Sequence, residues 1–145
     1  MKKTIITYDM YDHMMDNLVE QIEFSKLYTK VKYIYGPPRG GLPMAVHLAH
    51  HLDLTLLDRF DFKNLPSREW EKVLLVDDVA DTGKTLQAIK NSFGVYFTIA
   101  TLHYKPRSIV KPQFYVEETT DWLVYPWERL DETPNREGYD DEHSS

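Results

Sequence analysis

The segment from Val73 to Leu86 passes from four apolar residues into Asp77 and Asp78, then through Asp81, Thr82, Gly83, Lys84 and Thr85 into a helical pattern. Four apolar residues in succession, Val73 to Val76, predict a strand buried on both faces, as at the centre of a parallel sheet. Open α/β sheets bind ligands beyond the carboxyl ends of such strands, and this strand ends in two carboxylates. The turn of Thr82, Gly83, Lys84 and Thr85 would aim backbone N–H groups and two hydroxyls at an anion, backed by the positive end of the next helix, which suits a phosphate. A nucleoside-triphosphate loop competes, because Gly83, Lys84 and Thr85 match the end of its signature. It fails at Asp78, which stands where that loop needs its first glycine and would set a carboxylate against the phosphates. A buried strand followed by an acidic turn and an ordinary helix cap is the plain structural alternative.

Around this segment the chain alternates strands and helices. Tyr11, Met14, Met15, Leu18, Val19 and Ile22 recur at helical spacing with Asp12, Asp16, Glu20 and Glu23 between them, which predicts an amphipathic helix capped by Thr7 or Asp9. A short strand over Lys32 to Tyr35, a helix from about Pro43 to His51, and strands at Leu54 to Leu57 and Val73 to Val76 follow. A helix over Thr85 to Ser92 and a strand over Tyr96 to His103 come next. This alternation predicts an α/β fold with a mainly parallel, doubly wound sheet and helices on both faces. Phe114 to Val116 and Trp122 to Tyr125 are short and aromatic and predict a small C-terminal add-on. At 145 residues the chain suits one domain over residues 1–129, with an acidic, flexible tail over 130–145.

A second anion-binding pattern lies at Tyr35 to Pro43, where Gly36, Pro37, Pro38, Arg39, Gly40 and Gly41 follow a strand. Glycines let backbone N–H groups approach an anion, Arg39 adds a guanidinium fork, and the helix starting near Leu42 adds its dipole. A Gly-Pro turn with an exposed arginine is the plainer reading of that segment alone. Together the two segments resemble the type I phosphoribosyltransferases. Those enzymes carry an x-x-Arg-Gly-Gly pyrophosphate loop after an early strand, then a hydrophobic strand, two acids, two spacers and Asp-Thr-Gly-x-Thr. Purine-type members often have a strained or cis peptide before the arginine. The resemblance extends to Lys105-Pro106, Trp122-Leu123 and Pro126-Trp127-Glu128, and is nearest to the xanthine-guanine and hypoxanthine phosphoribosyltransferases.

That resemblance implies transfer of the ribose 5-phosphate group from phosphoribosyl pyrophosphate (PRPP) to a 6-oxopurine, with release of pyrophosphate, in purine salvage. It implies Asp81 as the catalytic base. Asp77 and Asp78 would hold the ribose and magnesium, while Thr82, Gly83, Lys84 and Thr85 would hold the 5′-phosphate. Pro38, Arg39, Gly40 and Gly41 would hold pyrophosphate. Lys105 would meet the 6-oxo group, Trp122 would stack on the base, and Leu123 and Glu128 would read its edge. Trp127 reads better as core packing. Most family members carry a long mobile hood between the strands that here end at Leu57 and begin at Val73; this chain has only Asp58 to Lys72, a short hood in which Arg59, Lys63, Ser67 and Arg68 could reach pyrophosphate. The partners implied are PRPP, a purine base, pyrophosphate and the nucleoside monophosphate, with the protein a dimer or tetramer.

Composition narrows the class further. The formal charge of −6 argues against general affinity for nucleic acid, so polyphosphate recognition has to be local. There is no cysteine, so neither a disulfide framework nor a thiolate metal site is available. His47, His50 and His51 have helical metal-site spacing, but no acid or cysteine completes a set nearby. No apolar run is long enough to cross a membrane and the N-terminus does not read as a signal peptide, which makes the cytoplasm the expected location. Two other functions stay open: a PRPP-binding regulator without turnover, and a phosphoribosyltransferase for a pyrimidine or another acceptor.

Overall fold

The computed structural model describes residues 2–128; the expected acidic tail over 130–145 lies outside the described residues. The first helix, α1 (Tyr8–Glu23), starts where Thr7 Oγ1 accepts a hydrogen bond from the Met10 amide at 3.1 Å, and it buries Tyr11, Met14, Met15, Leu18 and Ile22. Thr7, not Asp9, is the cap, because the helix begins one residue before Asp9. Strand β2 (Tyr33–Tyr35) leads to α2 (Gly41–Leu52), β3 (Thr55–Leu56) and α3 (Arg59–Asn64). The last is followed by a 3-10 turn over Ser67–Lys72 and then by β4 (Val73–Ala80), α4 (Lys84–Phe93) and β5 (Thr98–Tyr104). Two short strands finish the described chain, β6 (Glu117–Glu118) and β7 (Trp122–Val124).

The main sheet has the order β3-β2-β4-β5-β6, and every pairing in it is parallel. Period-2 alternation along β4 divides the core. Leu74 and Val76 join α1 and α2 on one face, where Met44, Ala45 and Leu48 are fully buried; Val73 and Leu75 join Phe62 of α3 with Leu86 and Ile89 of α4 on the other. The sheet is therefore doubly wound, as the alternation predicted. The second face has an aromatic centre. Phe62 stacks on Phe93 with centroids 4.1 Å apart, meets Tyr35 and Phe97 at 5.0 and 5.6 Å, and Trp70 packs edge-on to Phe93 at 4.9 Å. The short connection from Asp58 to Lys72 is thus a helix and a tight turn held down on the sheet.

Several boundaries differ from expectation. Strand β4 extends to Ala80 instead of stopping at Val76, because β5 continues the ladder through Asp77↔Thr101, Val79↔His103 and Ala80↔Tyr104. Asp77 and Asp78 consequently sit within the strand, half-buried at its carboxyl end. Phe114 makes only an isolated bridge to Ala100, and the paired strand is Glu117–Glu118. An unforeseen strand, β1 (Lys3–Ile5), pairs in parallel with β7 as a separate two-stranded sheet. Three residues carry too little alternation to announce a strand; the pairing exists because Ile6, Leu123 and Tyr125 all bury in the α1 side of the core.

Phe62 is 1% exposed at the middle of the aromatic face. Phe62→Ala should cost about 3–5 kcal/mol of unfolding free energy, read as a lower urea midpoint. An unchanged midpoint would show that α3 lies outside the cooperative core.

Candidate functional site

The crevice where the sheet reverses its winding follows directly from strand order. From β2 the chain moves outward to β3, whereas from β4 it moves the other way to β5, so the carboxyl ends of β2 and β4 flank the switch point. The loop after β2 enters it with a cis peptide between Pro38 and Arg39. Gly41 donates its N–H to Pro37 O at 3.0 Å, closing the loop onto the start of α2. The loop also lies flat on β4: a Cβ on Gly40 would strike the Asp78 carboxylate, and one on Gly41 would come 2.5 Å from Val76 O. Arg39 is exposed at the loop tip, and Pro38, Leu42 and Arg59 line an adjoining cleft. Of the hood residues considered, Arg59 is the one placed beside this loop; Lys63, Ser67 and Arg68 do not line that cleft.

After β4, the turn of Asp81, Thr82 and Gly83 opens α4. Gly83 has φ +81°, a left-handed conformation that favours glycine, and a Cβ there would meet Ser108 Oγ at 2.6 Å. A glycine at the N-cap supplies no side-chain acceptor, so the start of α4 presents amides and a positive dipole end to this corner of the crevice. Thr82 Oγ1 accepts from the Lys84 amide at 3.3 Å, Thr85 is buried, and Lys84 is exposed.

Asp81 is 4% exposed and holds a charged cluster together. Arg107 donates Nε to Asp81 Oδ1 at 2.7 Å and brings Nη2 to the same oxygen at 2.6 Å, while Lys105 Nζ stands 3.6 Å from it. Asp81 Oδ2 is buried without a hydrogen-bond partner among the described residues. Lys105 is buried as well, and that burial lowers its pKa from the usual lysine value, with Asp81 pulling in the opposite direction. Arg107 escaped the sequence reading. Its only signal is position, two residues beyond Lys105 and across a proline, and nothing local says that both cations turn toward one carboxylate.

On the opposite side of Asp78 lies a buried polar chain. Tyr125 donates its hydroxyl to Asp78 O at 3.0 Å, so the 2.8 Å contact between that hydroxyl and His103 Nδ1 has the imidazole as donor. Burial, with Lys105 adding to it, pushes the His103 pKa down to about 4, in keeping with a neutral ring. Tyr125 stacks on Trp127 at 5.3 Å, and Trp127 meets Tyr11 edge-on at 5.2 Å, so Trp127 is a packing residue as expected.

The residues expected to read a base are arranged unequally. Trp122 is half-buried with Lys3 Nζ 4.9 Å from its ring centroid. Trp122 N donates to Lys2 O and Val124 O accepts from Ile6 N, each at 2.8 Å; alternation along a parallel ladder therefore turns the Leu123 N–H and C=O to the edge of β7 away from β1. Glu128 folds back, its Oε1 accepting from the Tyr125 amide at 2.9 Å. Among the described residues no three His, Cys, Asp or Glu side chains gather into a metal cage, and His47 and His51 stack on each other at 4.3 Å. Asp77 and Asp78 offer a different donor set, two adjacent carboxylates at the strand end. Asp77 Oδ1 accepts from Asp78 N at 2.9 Å and Asp78 Oδ1 from Val79 N at 2.8 Å.

Residues 58–130 match the model of the phosphoribosyl transferase domain. A xanthine-guanine phosphoribosyltransferase of Desulfotalea psychrophila is 30% identical over 114 residues, covering 67% of this chain and 70% of that protein. Its counterpart in Cereibacter sphaeroides is 26% identical over 115 residues, covering 66% and 68%. Among solved structures, a purine phosphoribosyltransferase from Pyrococcus horikoshii superposes with a TM-score of 0.72 at 30% identity, over 92% of this chain and 99% of that one. No helix among the described residues is long and apolar enough to cross a membrane.

The neutral, buried His103 has a consequence for stability. Its pKa of about 4 in the fold lies below the ordinary histidine value of 6.5, so the unfolded chain binds the extra proton first. The contribution is complete above pH 6.5 and is lost as pH falls through about 4, at about 1.4 kcal/mol per pH unit in that window. Urea unfolding of His103→Gln should show a shallower decline between pH 6.5 and 4 than the natural protein; equal slopes would mean that His103 is not held neutral.

Proposed function

The chain belongs to the phosphoribosyltransferase family, and from that premise we propose that it transfers the 5-phosphoribosyl group of PRPP to a 6-oxopurine and releases pyrophosphate, as a salvage enzyme for guanine, xanthine or hypoxanthine. One observation carries the reading: the Pro37–Gly41 loop and the Asp81–Thr85 turn converge on the end of β4, with Lys105 beside Asp81. Asymmetric anion sites on either side of two carboxylates suit a sugar that carries pyrophosphate at one end and phosphate at the other. The purine acceptor is supported by the relatives, which are named for xanthine, guanine and purine.

In this reading Thr82, Gly83, Lys84 and Thr85 grip the 5′-phosphate, and Pro38, Arg39, Gly40 and Gly41 hold pyrophosphate. Asp77 and Asp78 bind the ribose hydroxyls. Their carboxylates also fit magnesium, a hard ion that takes few protein ligands and, when bound, would offset the charge developing on pyrophosphate. As the bond from C1 of the ribose to pyrophosphate oxygen breaks, its electron pair leaves with pyrophosphate, a C1–N bond forms, and the ring proton passes to Asp81. No covalent intermediate with a side chain is needed, so placement and electrostatics supply the acceleration. Lys105 donates to the 6-oxo group, Trp122 stacks on the purine, and the outward Leu123 backbone reads its edge. Glu128 supports that edge through the Tyr125 amide. We place the protein in the cytoplasm as a dimer or tetramer, in keeping with the exposed apolar side chains Leu42, Val46, Leu56 and Phe60.

Incubation with PRPP, magnesium and single bases tests the reading through nucleotide and pyrophosphate formation. Guanine, xanthine or hypoxanthine should be used best. A preference for adenine or orotate would overturn the acceptor, and no product with any base would favour a PRPP-binding regulator. Asp81→Asn should lower turnover by about 10² to 10⁴, roughly 3 to 5.5 kcal/mol, with PRPP affinity nearly intact; full activity would remove Asp81 from its role.

A lysine ammonium can only donate, so it opposes the 6-amino group of adenine. Lys105→Ala should lower activity and reduce discrimination against adenine together, as measured by the ratio of kcat/KM for guanine and adenine. An unchanged ratio would assign the discrimination to another group.

A further inference from the structure

Asp81 is held from one side only. Oδ1 takes Arg107 Nε and Nη2 at 2.7 and 2.6 Å, with Lys105 Nζ at 3.6 Å, whereas buried Oδ2 has no hydrogen-bond partner among the described residues. The backbone explains the asymmetry. Lys105 N donates to Ala80 O and Ile109 N to Thr82 O, each at 2.9 Å, so the loop after β5 straddles residue 81 and is tied down on both sides of it. Its middle residue is Arg107. Within the loop, Ser108 N donates to Lys105 O at 2.9 Å and Ser108 Oγ to Val110 O at 2.6 Å, which fixes the point from which the guanidinium reaches Asp81.

We propose that Arg107 is a positioning residue for phosphoribosyl transfer: it anchors Asp81 through Oδ1 and thereby reserves Oδ2 as the atom that accepts the proton from the purine ring. The inference rests on the function proposed above. A guanidinium whose two N–H groups converge on one carboxylate oxygen limits rotation of the group and stabilises its anion. The other oxygen is left as the acceptor. Arg107 also engages Oδ1 more closely than Lys105 does, at 2.6 and 2.7 Å against 3.6 Å. Asp81 and Lys105 side chains are each 3% exposed and that of Arg107 is 57% exposed, so Arg107 is the member of the cluster with room to adjust as a ligand enters.

Steady-state kinetics on the full chain distinguishes this role from phosphate binding and from plain structural support. Arg107→Ala should lower kcat by about 10- to 100-fold with KM for PRPP changed less than about threefold, a loss of placement and not of binding. Arg107→Lys, which keeps the charge, should recover about tenfold of that loss. In an Asp81→Asn background, Arg107→Ala should cause no further loss, because the anion it positions is gone. A raised KM for PRPP with kcat unchanged would make Arg107 a phosphate ligand, and multiplicative losses in the double variant would make it independent of Asp81; either overturns the proposal. Absence of product from the unsubstituted protein with every base would instead overturn the proposed function, and this inference with it.

Discussion

Three carboxylates stand at or just beyond the end of a buried central strand of the sheet, and much of the surrounding structure answers the cost of leaving charge there. Val73 to Val76 are completely buried, Asp77 and Asp78 are half-buried, and Asp81 is nearly closed to solvent. A buried charge is tolerated only when it is paired or hydrogen-bonded. Asp77 and Asp78 are met by backbone amides of the next residue. Asp81 is met by two cations from the loop after β5. A chain of formal charge −6 thus collects positive groups at the carboxyl end of β4.

The same constraint explains the glycines. Gly40 and Gly41 let the loop after β2 lie against Asp78 and Val76, so the acids are reached by backbone instead of being fenced by side chains. Gly83 performs the corresponding service for the second loop, where Ser108 and Val110 press against the turn. Both segments proposed to bind anions are therefore packed on structure fixed by β4 and β5. Pre-organised dipoles of this kind need little rearrangement when charge develops.

A buried polar chain joins this ledge to the rest of the molecule. His103, Tyr125 and the Asp78 carbonyl link β5, the segment after β7 and β4, with hydrogen bonds of 2.8 and 3.0 Å. Tyr125 and Leu123 also belong to the hydrophobic cluster under α1. The proposed base-reading piece is consequently anchored in the core on one side and to the acid ledge on the other. Low local dielectric strengthens such a chain while every member keeps its partner, and makes a missing partner costly.

Local pattern carried a large part of this architecture. The apolar stripe of α1, the buried run of β4, the glycines after β2 and the turn into α4 are legible because each depends on neighbours within a few residues. Their physical causes, helical period, burial on both faces, absence of a Cβ and exposed helix amides, are written in the order of residues. What the tertiary structure alone decided depends on partners far along the chain. Strand β4 runs on to Ala80 because β5 continues the ladder. Lys3 to Ile5 becomes a strand because β7 returns beside it. Arg107 reaches Asp81 because Lys105 and Ile109 bind the chain on either side of it. Charge and shape at the site arise from these meetings, and a meeting between distant residues has no signature in either stretch of sequence taken by itself.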